Sequence, residues 1–194
     1  MDSQKQLDEI AEYYSMVYGR IFNPKVSKST KWRRWYAFIT PQTCTPCLDK
    51  NGTLFNEEHP LDTTPLLHEH CRCYLDAAMA ITTGTATIDG LCGADYFLKL
   101  FKKIPDNYIT HKEAERMGWS RKKKNLHKVA PNLMIYGKIY KNSNQKLPDK
   151  PFRVWYEADI NYLSSRRNSH RLLYSNDGLL FVTYDHYITF FEIH

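Results

Sequence analysis

Leu7, Ile10, Tyr14 and Val17 recur at helical intervals, Ser3 and Gln6 ahead of them have capping-box spacing, and Gly19 follows. An amphipathic helix is therefore expected over residues 3–18. Residues 23–34 carry five cations and no clear period, and are expected to form a solvated connector. From Trp35 to Asp76 the chain offers cysteines, histidines, prolines and Asn51-Gly52, as in a small loop-rich unit. Residues 77–93 are small and almost uncharged and read as a junction. Beyond them Phe97, Leu98, Leu100 and Phe101 give a helical face stopped by Pro105, Thr110 with Glu113 opens a second helix ending at Gly118, and a third begins at Asn125. The segments LMIYGKI, RVWYEADI, RLLYS, LLFVTY and YITFF are rich in β-branched and aromatic residues, with Asn176-Asp177-Gly178 as a hairpin turn. Helices followed by strands predict an α+β fold, with amino-terminal helices packed on a twisted antiparallel sheet. The expected division is 1–80 for a helix plus cysteine-rich module, 81–93 for the junction and 94–194 for the second domain.

Charge sharpens that division. Up to Gly93 there are 9 Lys+Arg against 11 Asp+Glu, net −2; beyond it 18 against 10, net +8. A small domain at +8 suits a polyanion, either nucleic acid or an acidic protein, better than a neutral metabolite. No run reaches the ~18 apolar residues of a membrane helix. The stretch MDSQKQLDEI has no apolar signal-peptide core, so the expected setting is the cytoplasm or delivery by a specialised route.

Four of the five cysteines fall within 30 residues, as Cys44-x-x-Cys47 and Cys71-x-Cys73, with His68 three residues before Cys71. In a reducing compartment this pattern favours structural zinc, with free thiols or disulfides as alternatives. A loop-rich stretch this short buries too little apolar area alone, and a metal would supply the missing cross-link. Cys92 stands apart and reads as a small buried hydrophobe.

Within the basic half, PDNYIT at 105–110, Gly118-Trp119, VAP at 129–131, KLP at 146–148, EADINY at 157–162, RNS at 167–169, RLLYS at 171–175 and DHY at 185–187 resemble, in order, the barnase-like microbial ribonucleases. The chemistry of RNA cleavage through the substrate's 2′-hydroxyl asks for a base, an acid and cations around the phosphorane. Glu157 sits in a strand whose alternation puts Trp155, Glu157 and Asp159 on one face, and is the candidate base. His186 is the candidate acid. Arg167 and Arg171 can hold phosphate oxygens as guanidinium forks, with Asp159 orienting them. No catalytic cofactor is needed, because the nucleophile belongs to the substrate. The resemblance adds Tyr187 as a substrate contact, while Trp119, Trp155, Tyr162 and Tyr174 read as core aromatics.

The match departs from the family at three places. His111 stands where the family carries a catalytic lysine, at a helix start that can still hold a phosphate. The loop through Asn142 and Asn144 takes the place of the guanine-reading loop, with Asn144 in place of a glutamate. An amide oxygen accepts where a carboxylate would accept twice, so weaker guanine preference is expected. Lys138 replaces an active-site aspartate.

The strings WRRWYAFITPQTCTPCLDKNGTLF and PLLHEHCRCY also resemble the cysteine-rich end of phage head-morphogenesis (minor capsid) proteins. Together the two resemblances imply a toxin-type endoribonuclease on a phage-derived docking module, with RNA as partner and an acidic barstar-like inhibitor protecting the host. The alternative is a phage structural or interaction protein that keeps the nuclease fold for RNA binding with little turnover.

Overall fold

A computed structural model describes Lys5, Asp8, Glu9, Glu12 and residues 22–162 and 167–194. Lys5, Asp8, Glu9 and Glu12 are helical and exposed, whereas Leu7, Ile10, Tyr14 and Val17 lie outside the described residues. The elements are β1 (Val26–Tyr36), α1 (Thr45–Lys50), β2 (Leu54–Phe55), β3 (Tyr74–Ile81), α2 (Ala94–Phe101), β4 (Tyr108–Thr110), α3 (His111–Arg116), α4 (Leu126–Val129), β5 (Met134–Tyr140), β6 (Trp155–Asp159), β7 (Arg171–Ser175), β8 (Leu180–Thr183) and β9 (Phe191–Ile193). Among the described residues no helix is long and apolar enough to cross a membrane.

The strands form one nine-stranded sheet in the order β2-β1-β3-β9-β8-β7-β6-β5-β4. It is mixed rather than purely antiparallel: β3 runs parallel to β9 and β4 parallel to β5. The expected hairpin joins β7 to β8, with Gly178 at φ +94° supplying the conformation the turn needs. Thr110 and Glu113 close the predicted capping box at α3.

Three expectations are corrected. The basic run at 23–34 is no connector but most of β1, in which Ser29, Trp32, Arg34 and Trp35 are buried while Lys28, Lys31 and Arg33 face out. A break in register between Lys28 and Arg33 disturbs the strand's alternation, which is why the sequence showed no period. Cys92 is exposed, at the end of a short 3-10 turn. The strand anticipated in YITFF starts only at Phe191.

The stretch read as a junction is built into the structure. Ala78, Ala80 and Ile81 are buried in β3, and Ala80 and Ile81 pair with Glu192 and Ile193. Asp95 at the start of α2 accepts bonds from the Gly84 and Ala86 amides, at 2.7 and 3.1 Å, and from the Thr87 hydroxyl at 3.1 Å. Burial raises the Asp95 pKa, with those bonds opposing the shift. The fold closes so tightly that a Cβ on Gly93 would lie 1.9 Å from Thr87 Oγ1.

Because both sheet faces are covered, alternate residues of the central strands enter different cores. Phe22, Ile81, Leu172, Val182, Phe191 and Ile193 belong to one cluster; Trp32, Leu54, Trp155, Leu173, Phe181 and Phe190 belong to the other. Each core draws residues from both sides of 81–93. A smaller cluster gathers Trp35 with Cys47, Cys71 and Cys73.

Candidate active site

The strands β5, β6 and β7 set out the charged residues of one cleft. Glu157 on β6 pairs with Lys138 on β5 and Leu173 on β7, and Asp159 pairs with Arg171. A bulge between Tyr136 and Lys138, around Gly137 at φ +81°, turns the lysine toward Glu157. Glu157, Asp159, Arg167, Arg171, His186 and Tyr187 line the same cleft, together with His111, Trp119, Arg121 and Lys138.

Asp159 anchors the cations. Its buried carboxylate accepts a fork from Arg167, Nε to Oδ2 at 2.6 Å and Nη2 to Oδ1 at 2.7 Å, and lies 3.1 Å from Arg171 Nε. Arg171 Nη1 also donates to the carbonyls of Asn168 at 2.7 Å and His170 at 2.6 Å. Burial opposes the Arg167 cation, but the Asp159 bonds and charge outweigh it and hold the pKa above its ordinary value. Both guanidiniums are thus fixed in the cleft wall.

Glu157 is engaged at both oxygens. Tyr187 donates to Oε2 at 2.6 Å, and Lys138 Nζ lies 3.3 Å from Oε1. Burial, then the bond to Glu157 and its charge, push the Tyr187 phenol up. Tyr187 also stacks on Tyr140, with ring centres 5.1 Å apart. His186 and Tyr187 are both left-handed, at φ +58° and +70°. His111 opens α3 with its ring edge-on to Trp119 at 4.8 Å and Nδ1 3.4 Å from Glu115.

The loop expected to read the base behaves differently. Asn142 does not line the cleft: it is buried, with Oδ1 accepting from the Leu147 amide at 3.1 Å and Nδ2 donating to the Leu147 carbonyl at 2.8 Å. It shapes the loop instead of facing a ligand. Asn144 is exposed and accepts from Tyr140 Oη at 3.3 Å, so its link to the cleft runs through the Tyr140–Tyr187 stack. Trp119, read as core, is buried yet lines the cleft beneath Arg167, whose Cζ sits 5.7 Å from the ring centre. Arg121 was overlooked; its only signal was the basic run that follows Gly118-Trp119.

None of the cysteines lines this cleft; four of them converge elsewhere with His68. His68 Nε2 lies 3.1 Å from Cys44 Sγ and 3.3 Å from Cys47 Sγ, and Cys47 Sγ is 3.6 Å from Cys71 Sγ. Cys44, Cys47 and His68 form one potential ligand triad and Cys47, Cys71 and Cys73 another, sharing Cys47. Edges of roughly 3.5–3.8 Å follow from zinc bonds of ~2.3 Å to sulfur and ~2.0 Å to nitrogen, so the donors fit tetrahedral zinc. His68 Nδ1 is 2.7 Å from the Glu69 carbonyl, which aims Nε2 at the thiols. Cys71 is drawn down to about 7, first by the Cys73 amide, while burial raises Cys47. The cluster is able to hold a metal ion.

A ribonuclease family model matches residues 96–194. The chain is 48% identical over 107 residues to a ribonuclease of Heyndrickxia coagulans, an alignment covering 55% of this chain and 95% of that protein. Alignments of the same length and identity with ribonucleases of Bacillus intermedius and Bacillus pumilus span 64% of those proteins.

Proposed function

The chain belongs to the ribonuclease family and is an endoribonuclease; on that premise, we propose that it cleaves single-stranded RNA by transesterification at the 2′-hydroxyl. Glu157 takes the 2′-proton as the oxygen attacks phosphorus, the bond to the 5′-oxygen breaks, and His186 protonates the leaving oxygen. The products are a 2′,3′-cyclic phosphate and a free 5′-hydroxyl. Arg167 and Arg171 meet the charge gathering on the phosphorane, and His111 with the α3 start adds a weaker phosphate contact. The observation that carries this reading is a single cleft holding Glu157, His186 and two arginines locked to Asp159.

RNA is incubated with wild type, Glu157→Ala and His186→Ala in excess EDTA. Wild-type cleavage ending in cyclic phosphate, with each variant slower by about 10²- to 10⁴-fold, is the expected result. No wild-type cleavage, or undiminished cleavage by either variant, overturns the assignment.

We further propose that zinc on Cys44, Cys47, His68, Cys71 and Cys73, taken four at a time, staples an amino-terminal module derived from phage head-morphogenesis proteins. The module would serve docking or delivery of a toxin-type nuclease, countered by an acidic inhibitor drawn to the basic domain. Base preference is relaxed, since Asn144 brings no carboxylate. One observation favours a slower enzyme, or an RNA-binding relative with little turnover: Lys138 and Tyr187 already occupy both oxygens of Glu157 and must yield to substrate.

A further inference from the structure

The turn from β8 to β9 presents the acid to the cleft, and it does so at a conformational cost. His186 and Tyr187 are consecutive non-glycine residues with positive φ, a state that persists only when its surroundings hold it. Part of the hold is internal. Asp185 Oδ1 accepts from Thr183 Oγ1 at 2.9 Å and from the amides of Ile188 and Thr189 at 3.1 and 2.9 Å, and Thr183 Oγ1 accepts from the Tyr187 amide at 3.0 Å.

The rest comes from outside the turn. Arg34, on β1 of the amino-terminal module, is buried and donates through Nη2 to the Phe190 carbonyl, with its Cζ 5.8 Å from the Phe191 ring. Lys146 Nζ donates to the Ile188 carbonyl at 3.0 Å. Lys146 is itself tied to the module, because its carbonyl accepts from the Leu54 amide at 3.1 Å. Gly52 approaches the same place: a Cβ there would lie 3.6 Å from Lys146 Cδ and 3.7 Å from the Ile188 carbonyl. Burial lowers the Arg34 pKa, and Asp185 is among the charges that offset this. A desolvated cation is an expensive way to hold a carbonyl unless the hold matters.

We propose that Arg34 is a positioning residue for RNA cleavage: with Lys146 it clamps the turn from Asp185 to Phe190 and thereby sets His186 where it can protonate the leaving oxygen. This rests on the acid role given to His186 above. The amino-terminal module is then a structural part of the catalytic apparatus as well as an attachment.

The test compares two substrates with the same base in the full chain. One is a dinucleotide, whose alkoxide leaving group needs a proton. The other is the nucleoside 3′-(4-nitrophenyl phosphate), whose phenolate departs without one. Arg34→Met is expected to lower kcat on the dinucleotide by about 10- to 100-fold with KM within about twofold. On the aryl ester it stays within about threefold of wild type, as does His186→Ala. Arg34→Lys, which keeps a charged donor, recovers most of the loss. Equal losses on both substrates, or no loss on either, overturn the clamp. Should Arg34→Met not fold, Lys146→Met decides by the same comparison. A wild type that cleaves neither substrate refutes the ribonuclease assignment and this proposal with it. Wild-type cleavage lost in His186→Ala but unchanged in Arg34→Met refutes the positioning role alone.

Discussion

Replacing Asp159 by alanine removes the carboxylate that serves both Arg167 and Arg171. Its side chain is 3% exposed, and those of Arg167 and Arg171 are 25% and 7% exposed. Breaking a buried ion pair by deleting one partner costs about 3–5 kcal/mol, because the surviving charge stays desolvated. Arg167 retains some water, so the lower end, about 3 kcal/mol, applies. For a chain of this size each kcal/mol moves the unfolding midpoint by about 2–4 °C, giving a fall of about 6–12 °C by circular dichroism. The arginines also lose the fork that aims them, and kcat/KM on a dinucleotide should fall by about 10²- to 10³-fold, the cost of one misplaced oxyanion donor. Asp159→Asn keeps one acceptor oxygen and should fall between wild type and alanine on both measures. A midpoint within about 2 °C of wild type, with kcat/KM within about twofold, would refute the anchoring role.

Three further outcomes are expected. Cys47 belongs to both ligand triads, so Cys47→Ser should lose bound zinc in elemental analysis and unfold earlier, whereas Cys92→Ser, at an exposed site, should keep both properties. His170 is held to about 3, first by burial and then by the Arg171 charge, and its Nδ1 lies 3.0 Å from Asn161 Nδ2. The unfolded chain takes up that proton near pH 6.5, so stability is full above that pH and falls at ~1.4 kcal/mol per pH unit below it. Between pH 6.5 and 4.5 this amounts to about 2 kcal/mol, and a His170→Phe variant should show a flatter midpoint over that window; parallel profiles would exclude the effect. Asp177, held well below the usual carboxylate range by Arg153, acts only at lower pH. Finally, Asn144→Glu should raise selectivity for cleavage after guanine on a dinucleotide panel, by about tenfold if the new carboxylate gains a single N–H bond.

The nuclease half was legible because its signals are local. Runs of β-branched and aromatic residues placed β5 to β8, Asn176-Asp177-Gly178 marked the hairpin, and Thr110 with Glu113 marked α3. The strands of the amino-terminal half were not, although its Cys/His cluster was. Its longest strand looks like a charged run, since Lys28, Lys31 and Arg33 decorate its outer face and a register break hides the alternation. The pairing of Ala80 with Glu192 leaves no trace in either segment taken alone. In the cleft, residue types and the family resemblance singled out the candidate acid, base and arginines, which the fold does bring together, but their partners did not follow from type. Lys138 reaches Glu157 only because Gly137 bulges, and Asn142 turned inward because Leu147 offers both of its backbone groups. Arg34 was missed for the same reason as β1.

The parallel pairing of β3 with β9 also decides where the sheet stops. Its outer strands are β2, of two residues, and β4, of three, each too short to recruit a strand from another molecule. Without the amino-terminal strands, β9 would be the outermost strand on that side, as short as β4, but Phe190 would lose its cover of Trp32 and Leu54 and leave apolar surface exposed. A nuclease half severed from its module is therefore expected to self-associate. Solubility, no less than fold, is shared between the two parts of the chain.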